Sequence, residues 1–197
     1  MTRLWLGAAV LFMASIASAT AQTVDAQSVE GQPLPFNLGG PFALTDQNGQ
    51  ARTEVDPAGR LQLVFFGYAS CQQICSAVLP QMAEVEQNLS VRGLAVTPVL
   101  ITVDPLRDTV ANLGAAMPRY GANFVGLTGS PEALQKAYKA FDVESSVVFD
   151  DPFYGPVFAH GSFLYLLDAK GKFLTLIPPI LATDKVADLV ATYAPKS

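Results

Sequence analysis

Residues 61–89 change their hydrophobic period part-way along, and this change limits the folds available to the chain. Residues 61–66 (LQLVFF) form a short, nearly continuous apolar run that is rich in aromatic side chains, which is typical of a strand buried on both faces of a sheet. After Gly67 the apolar residues recur at helical spacing, namely Ile74, Val78, Met82, Val85 and Leu89. This spacing predicts an amphipathic helix directly after a buried strand, which is a recurring step of α/β proteins.

The rest of the chain continues the alternation. Further strands are predicted at residues 42–45, 96–103, 124–127, 163–167 and 172–177, and further helices at residues 109–120, 131–141 and 183–193. Ser130 is the expected N-cap of the helix at 131–141, and Thr183 or Asp184 that of the last helix. The order, βαβ followed by ββα, is the thioredoxin plan with extra N-terminal strands. We therefore predict a thioredoxin-like α/β domain over residues 36–197, with a central mixed sheet flanked by helices.

The N-terminus has the pattern of an export signal. Arg3 precedes an apolar stretch at residues 4–16, and two A-x-A cleavage sites lie in residues 17–21. We predict a signal peptide over residues 1–21 and a flexible leader over residues 22–35, so the protein is expected in the periplasm. The alternative is an uncleaved segment that anchors it to the inner membrane, since the apolar run is close to the minimum length of a span.

Composition narrows the classes of partner. Half of the residues are hydrophobic, 15% are charged, and the net charge is −5, which favours a folded domain and excludes a disordered chain. We find no Lys/Arg cluster and no phosphate-binding loop, so nucleic acid is not an expected partner. Membrane association is expected only through an uncleaved N-terminus. The chain has two cysteines, which in an exported protein could also form a structural disulfide.

The two cysteines lie where the predicted strand passes into the helix. Cys71 and Cys75 follow the carboxyl edge of the sheet, where α/β proteins place their ligands, and a helix N-terminus favours thiolate over thiol. Residues at i and i+4 of a helix have Cβ atoms about 5–6 Å apart, whereas a disulfide needs about 3.5–4.5 Å. Two sulfurs that share one metal can be about 4 Å apart. The spacing therefore favours metal ligation, and a strained, redox-active disulfide remains the alternative.

His160 is the single histidine of the chain. It precedes the strand predicted at 163–167, and in thioredoxin-like folds the loop before that strand lies against the cysteine turn. Residues 150–159, rich in Pro, Gly and aromatic residues, are expected to form a loop over this site. Two thiolates and one imidazole are a soft set of ligands that suits Cu(I), or Cu(II) with an added ligand. Zinc, which prefers four ligands, is the alternative metal.

Several short motifs follow one another along the chain. They are Phe66-Gly67-Tyr68, Cys71 and Cys75, Val103-Asp104-Pro105, Arg107-Asp108-Thr109, and His160. In these motifs the chain resembles the Sco/SenC family, from about residue 42 to residue 193. The resemblance implies that Cys71, Cys75 and His160 bind copper for delivery to the binuclear copper centre of cytochrome c oxidase.

The chain also departs from that family. Gln72-Gln73, Ser76 and Ala159 stand where the family usually has Pro-Asp, Pro and Asp, so no carboxylate precedes the histidine to orient it. The segment from Asp104 to Thr109 is expected to be structural, with Asp108 or Thr109 capping the next helix and Arg107 paired with Asp104 or Asp108.

The main hypothesis is an exported copper metallochaperone, which is a transfer protein rather than an enzyme. Its partners would be a copper-accepting oxidase subunit or another copper chaperone. The alternative is a periplasmic thiol–disulfide oxidoreductase that uses Cys71 and Cys75 to keep a client's copper-ligand cysteines reduced, itself served by a thioredoxin-like reductant. A plain exported domain with a structural disulfide is the third possibility. Only the first hypothesis needs His160.

Overall fold

The computed structural model describes residues 38–71 and 74–195, apart from the side chain of Ile74. The predicted signal peptide, residues 1–21, and the predicted leader, residues 22–35, lie outside the described residues and stay predictions. Within the described ranges, no helix is both long enough and apolar enough to cross a membrane.

Strands and helices alternate along the chain. The strands are β1 (Leu44–Asp46), β2 (Ala51–Arg52), β3 (Leu61–Gly67), β4 (Val96–Thr102), β5 (Val125–Thr128), β6 (Ser145–Asp151), β7 (Gly155–His160), β8 (Leu164–Leu167) and β9 (Phe173–Ile177). The helices are α1 (Ile74–Val91), α2 (Val110–Ala116), α3 (Pro131–Ala140) and α4 (Thr183–Thr192), and a 3₁₀ turn (Met117–Arg119) follows α2. Each element predicted from the sequence is found within a few residues of its expected position.

Seven of the described strands form one mixed sheet in the order β2-β1-β5-β4-β3-β8-β9. The three central strands β5, β4 and β3 are parallel, whereas β8 and β9 join one side antiparallel and β1 and β2 join the other. The N-terminal strands thus extend one edge of the sheet and the C-terminal hairpin the other. This is the central mixed sheet with extra N-terminal strands that the sequence predicts.

Strand β3 lies inside the sheet, and each of its residues is buried. The Phe66 ring packs against the rings of Tyr138, Phe141 and Tyr165 at centroid distances of 6.1, 5.3 and 5.5 Å. Fully burying one such side chain contributes about 1.5–3 kcal/mol. Packing on this scale fixes β3, so its carboxyl end at Gly67 is a firm base for the residues that follow.

Residues 150–159 are not the loop that the sequence predicts. They belong to an antiparallel hairpin in which β6 pairs with β7, with Ser145 opposite His160 at its open end, as a separate two-stranded sheet. Asp151 Oδ1 accepts two backbone N–H groups of the turn at 2.8 and 2.9 Å, and Gly155 provides a φ of 73°. The pattern hides these strands because most β6 residues are exposed, so no alternation of buried and exposed positions marks them.

The two predicted helix caps have different outcomes. Ser130 caps α3 as expected, since its Oγ accepts a backbone N–H of the first turn at 3.2 Å. The predicted cap of α4 by Thr183 or Asp184 is wrong, because Ala182 is the N-cap and contributes no side-chain bond. The Thr183 hydroxyl instead bonds the carboxylate of Glu84 in α1 at 3.0 Å, and this bond ties the two helices together.

Candidate metal site

Cys71 and Cys75 lie where β3 passes into α1. The backbone N–H of Cys71 donates to the Tyr68 carbonyl at 3.3 Å, and α1 spans Ile74–Val91, so Cys75 lies near the start of the helix. The expectation that both cysteines share one helix face is wrong for Cys71, because Cys71 itself is not helical. Both cysteines are reduced and buried, with 5% and 1% of their surface exposed.

Gly67 allows Cys75 to pack directly against the sheet. A Cβ atom at this position would lie 3.1 Å from Cys75 Sγ and 2.6 Å from Phe65 Cε1. The contact with Phe65 is shorter than folded proteins tolerate and the contact with Cys75 is tight, so no larger residue fits without a shift of its neighbours. The thiol of Cys75 is thus held by the core of the domain.

His160 ends β7, so the hairpin carries the imidazole to the cysteines. Its Nε2 atom lies 3.6 Å from Cys75 Sγ. The ligand atoms of Cys71, Cys75 and His160 all lie within 4.8 Å of one another. The structure therefore brings together the three residues that the sequence selects.

A backbone carbonyl orients the imidazole. His160 Nδ1 lies 3.0 Å from the carbonyl oxygen of Gly161, and because a carbonyl only accepts, Nδ1 is the donor of this bond and Nε2 is the ring nitrogen that faces Cys75. Here the carbonyl takes the role of the carboxylate that Ala159 cannot supply. Sequence reasoning missed this contact because a backbone acceptor has no residue-type signature.

Aromatic rings surround the imidazole. Phe65 and Tyr68 contact it edge to face, at centroid distances of 5.7 and 6.0 Å, and Phe158 packs against Tyr68 at 5.4 Å. The pKa of Tyr68 is raised to about 12, first by burial and then by a hydrogen bond to the Cys71 side chain, while a bond with the Phe158 backbone acts in the opposite sense. Tyr68 thus stays protonated and links residues 68–71, which we call the cysteine loop, to β7.

The local environment raises the pKa of Cys75. The largest cause is its hydrogen bond with the Cys71 side chain, followed by burial. The expectation that the helix terminus favours a thiolate is therefore wrong for Cys75, because a neighbouring sulfur and loss of water outweigh the helix dipole. Without metal, the pair retains a proton on Cys75 at neutral pH.

The segment from Asp104 to Thr109 holds the loop before Cys71 in place through hydrogen bonds. The Asp108 carboxylate accepts the Ala69 backbone N–H at 2.9 Å and the Thr102 hydroxyl at 2.7 Å, so it fixes the loop that leads to Cys71. Burial raises the pKa of Asp108, and these two hydrogen bonds oppose the rise. Arg107 pairs with Asp104, one of the two pairings expected.

The capping role in this segment falls to Thr109, whose Oγ1 accepts the N–H of Asn112 at 3.3 Å. Asp108 is not the cap, because its carboxylate is occupied by the cysteine loop. The sequence singled out residues 104–109 as a motif, but it gave no indication that the Asp108 carboxylate binds the backbone N–H of Ala69.

The donor set and its spacing fit a three-coordinate metal ion. With metal–sulfur bonds of about 2.3 Å and metal–nitrogen bonds of about 2.0 Å, a planar three-coordinate site has sulfur–nitrogen separations of about 3.7 Å. The observed separation from Cys75 to His160 is 3.6 Å. Two sulfurs and one imidazole nitrogen form a soft, low-coordinate set, which suits Cu(I) better than zinc.

Comparison with known proteins gives one consistent family. The family model described as SCO1/SenC matches residues 30–195. An SCO2-like protein of Rickettsia conorii is 38% identical over 140 residues, which cover 70% of this chain and 67% of the relative.

Solved structures agree. Bradyrhizobium japonicum ScoI with copper bound is 31% identical, with a TM-score of 0.69 over 80% of this chain and 99% of that one. Arabidopsis thaliana ScoI with copper bound is 27% identical, with a TM-score of 0.74 over 79% of this chain and 96% of that one. The thioredoxin-like fold and the family resemblance are thereby confirmed. Together with the Cys71–Cys75–His160 group, these structures support the predicted copper binding.

Proposed function

The chain belongs to the SCO1/SenC family, and from this premise we propose that it binds one copper ion through Cys71, Cys75 and His160 and passes it to the binuclear copper centre of a respiratory oxidase. The observation that carries the proposal is the convergence of three soft donor atoms within 4.8 Å of one another. Copper is the cargo of such a protein, so the site must both hold the ion and release it.

Each ligand has a distinct part in that cycle. Cys71 and Cys75 supply two sulfurs from the core, and binding displaces the proton that Cys75 retains in the apo protein. His160 presents Nε2 from the hairpin, with Nδ1 engaged by a carbonyl. Since His160 is less buried than the cysteines, it is the ligand that an incoming acceptor can replace first.

Exposed apolar side chains next to the site support a partner that docks there. Leu106 and Phe153 are 91% and 89% exposed, and they line one groove with Ala69 and Ser70, the residues that precede Cys71. Exposed large apolar residues grouped around a functional site are typical of a protein contact. The proposed partner is the copper-accepting oxidase subunit, or another copper chaperone in the same route.

Copper binding is tested by Cu(I) titration of the reduced protein against a chromophoric chelator, in wild type and in His160→Ala. We expect a stoichiometry of one and a clear loss of affinity in the variant. Phe153→Ala is the matched control, because Phe153 lies on the same hairpin but supplies no ligand atom. Equal affinities of wild type and His160→Ala would remove the histidine from the ligand set.

Delivery is tested by mixing the copper-loaded protein with an apo oxidase domain that contains the binuclear site. Appearance of the acceptor's copper absorption with wild type, and its absence with Cys75→Ser, is the expected result. Transfer that proceeds at the same rate from free copper would argue against a delivery role.

We extend the proposal to export, on the basis of residues 1–21. The protein would reach the periplasm and lose this segment, or keep it as an inner-membrane anchor. Mass analysis of the protein from cell fractions separates the cases: cleavage after Ala19 or Ala21 supports a signal peptide, and an intact chain in the membrane fraction supports the anchor.

A second candidate function is thiol–disulfide exchange by Cys71 and Cys75, with a thioredoxin-like reductant. The observation in its favour is that the two sulfurs are hydrogen-bonded neighbours, so that they could close into a disulfide. Such a role makes no use of the imidazole beside them, and for this reason we place copper transfer first. Retention of reductase activity in His160→Ala, together with unchanged copper affinity, would reverse the order.

A further inference from the structure

Arg107 is the residue through which three separate parts of the site meet. Its Nε donates to the buried carboxylate of Asp104, Nη1 donates to the carbonyl of Tyr154, and Nη2 donates to the carbonyl of Pro156 at 2.6 Å. The guanidinium also lies over the Tyr68 ring, 5.3 Å from its centroid. We propose that Arg107 is a positioning residue for His160, which holds the β6–β7 hairpin so that the imidazole faces the cysteines.

The hairpin depends on side-chain contacts because, among the described strands, β6 and β7 pair only with each other. It is a separate two-stranded sheet, most residues of β6 are exposed, and isolated two-stranded hairpins are marginally stable in water. Arg107 binds the two carbonyls that flank Gly155, at the turn end of the hairpin. His160 lies four positions after Pro156, which is about 13 Å along a strand.

At the other end of β7, Phe158 packs against Tyr68. Strand β7 is therefore fixed at its start by Arg107 and near its end by Tyr68. A histidine on a strand fixed at two points has little freedom to turn away from Cys75.

The support behind Arg107 is rigid. Asp104 is 2% exposed, and its backbone N–H donates to the Thr102 hydroxyl at 2.9 Å. The same hydroxyl donates to Asp108, whose carboxylate accepts the N–H of Ala69 in the cysteine loop. One short segment thus contacts the cysteine loop with one side chain and the histidine hairpin with another.

The geometry favours positioning over partner contact for Arg107. Each of its three side-chain nitrogens donates within the protein, and the side chain is 27% exposed. A planar guanidinium can bind two carbonyls and a carboxylate at once, whereas a lysine ammonium cannot match this fork. The substitution Arg107→Lys therefore keeps the charge and breaks the clamp.

The inference rests on the proposed ligand role of His160, and a double-mutant cycle tests it. We expect Arg107→Gln to weaken Cu(I) binding about 10–100-fold, as loss of a group that supports a ligand does, and Arg107→Lys to show most of this loss. In a His160→Ala background, Arg107→Gln should have little further effect, because the two substitutions remove the same interaction. Additive losses, or wild-type affinity in Arg107→Lys, would overturn the proposal.

Hydrogen exchange of the apo protein provides a readout that does not involve copper. Amides of residues 145–160 should exchange faster in both Arg107 variants, while those of β3 and α1 stay as in wild type. Arg92→Gln is the matched control, since Arg92 forms a surface ion pair with Asp188 at 2.8 Å on other elements. Unchanged exchange in the hairpin would contradict the clamp. If His160→Ala leaves copper affinity intact, the ligand assignment fails while the exchange result still reports on Arg107.

Discussion

The two halves of the candidate site are held in different ways. Cys71 and Cys75 belong to the core, at the end of a fully buried strand and the start of a helix. His160 belongs to a hairpin outside the main sheet and is held by its ring contacts and by the Arg107 clamp at the far end of β7. The dithiol half is therefore set by packing, and the histidine half by a few polar and aromatic contacts. We infer that the two cysteines determine whether the site binds copper at all, and that the position of His160 determines how tightly copper is bound.

The largest expected effect separates the two halves by copper affinity. Cys75→Ser should weaken Cu(I) binding by more than about 100-fold, because it removes a sulfur ligand rather than a group that supports one. His160→Ala should weaken binding less, because two sulfurs remain. Competition with a Cu(I) chelator measures both. Equal losses in the two variants would contradict the division of the site.

The next effect separates the halves by stability, using one glycine from each. Gly67→Ala places a Cβ 2.6 Å from Phe65 and 3.1 Å from Cys75, and should lower the free energy of unfolding by roughly 1–3 kcal/mol. Gly161→Ala meets no atom within 4 Å and should change it by less than about 0.5 kcal/mol. Urea denaturation of both variants is the measurement. A neutral Gly67→Ala would show that the dithiol half is not constrained by packing.

A third effect concerns pH and belongs to the dithiol half. Because the pKa of Cys75 is raised, its thiol remains protonated at neutral pH and must lose that proton when copper binds. Apparent Cu(I) affinity should therefore rise with pH by about tenfold per unit for each proton displaced. Titrations between pH 6 and 8 measure the slope. An affinity independent of pH would mean that Cys75 is already a thiolate in the apo protein.

The smallest effect concerns the segment between the halves. Burial raises the pKa of Asp108, so the folded state holds its proton more tightly than the unfolded state. This group therefore makes stability fall as pH rises from the unfolded value of about 3.9 through the raised folded value. Asp108→Asn should lack that part of the fall, which unfolding measurements across acidic pH would detect. Identical pH profiles of wild type and Asp108→Asn would show that burial does not raise the pKa of Asp108.

The sequence predicted the dithiol half well because packing leaves a pattern. A buried run followed by apolar residues at helical spacing located β3 and α1, and so located Cys71 and Cys75. The position of His160 was found because it precedes β8, whose apolar run is also clear.

The hairpin that carries His160 escaped prediction for a physical reason. Strand β6 has mostly exposed residues, so its sequence has no burial period, and Pro152, Gly155 and Pro156 favour a loop. The carbonyl of Gly161 and the reach of Arg107 to the Tyr154 and Pro156 carbonyls are contacts with backbone groups, which no residue type announces. The part of the site that could not be predicted from the sequence is the part built from main-chain acceptors.

The separation of the hairpin from the main sheet has a consequence for how such a protein can evolve. A ligand on an appended segment can be altered, lengthened or lost while the domain still folds, because residues 145–160 add none of the buried core residues and contact the core through Phe158. Loss of His160 alone would leave a stable domain with two adjacent cysteines, which is the starting point for redox work. A single substitution at His160 therefore removes the metal ligand while the fold is kept. We expect a change from copper binding to redox function to begin with substitutions in residues 145–160.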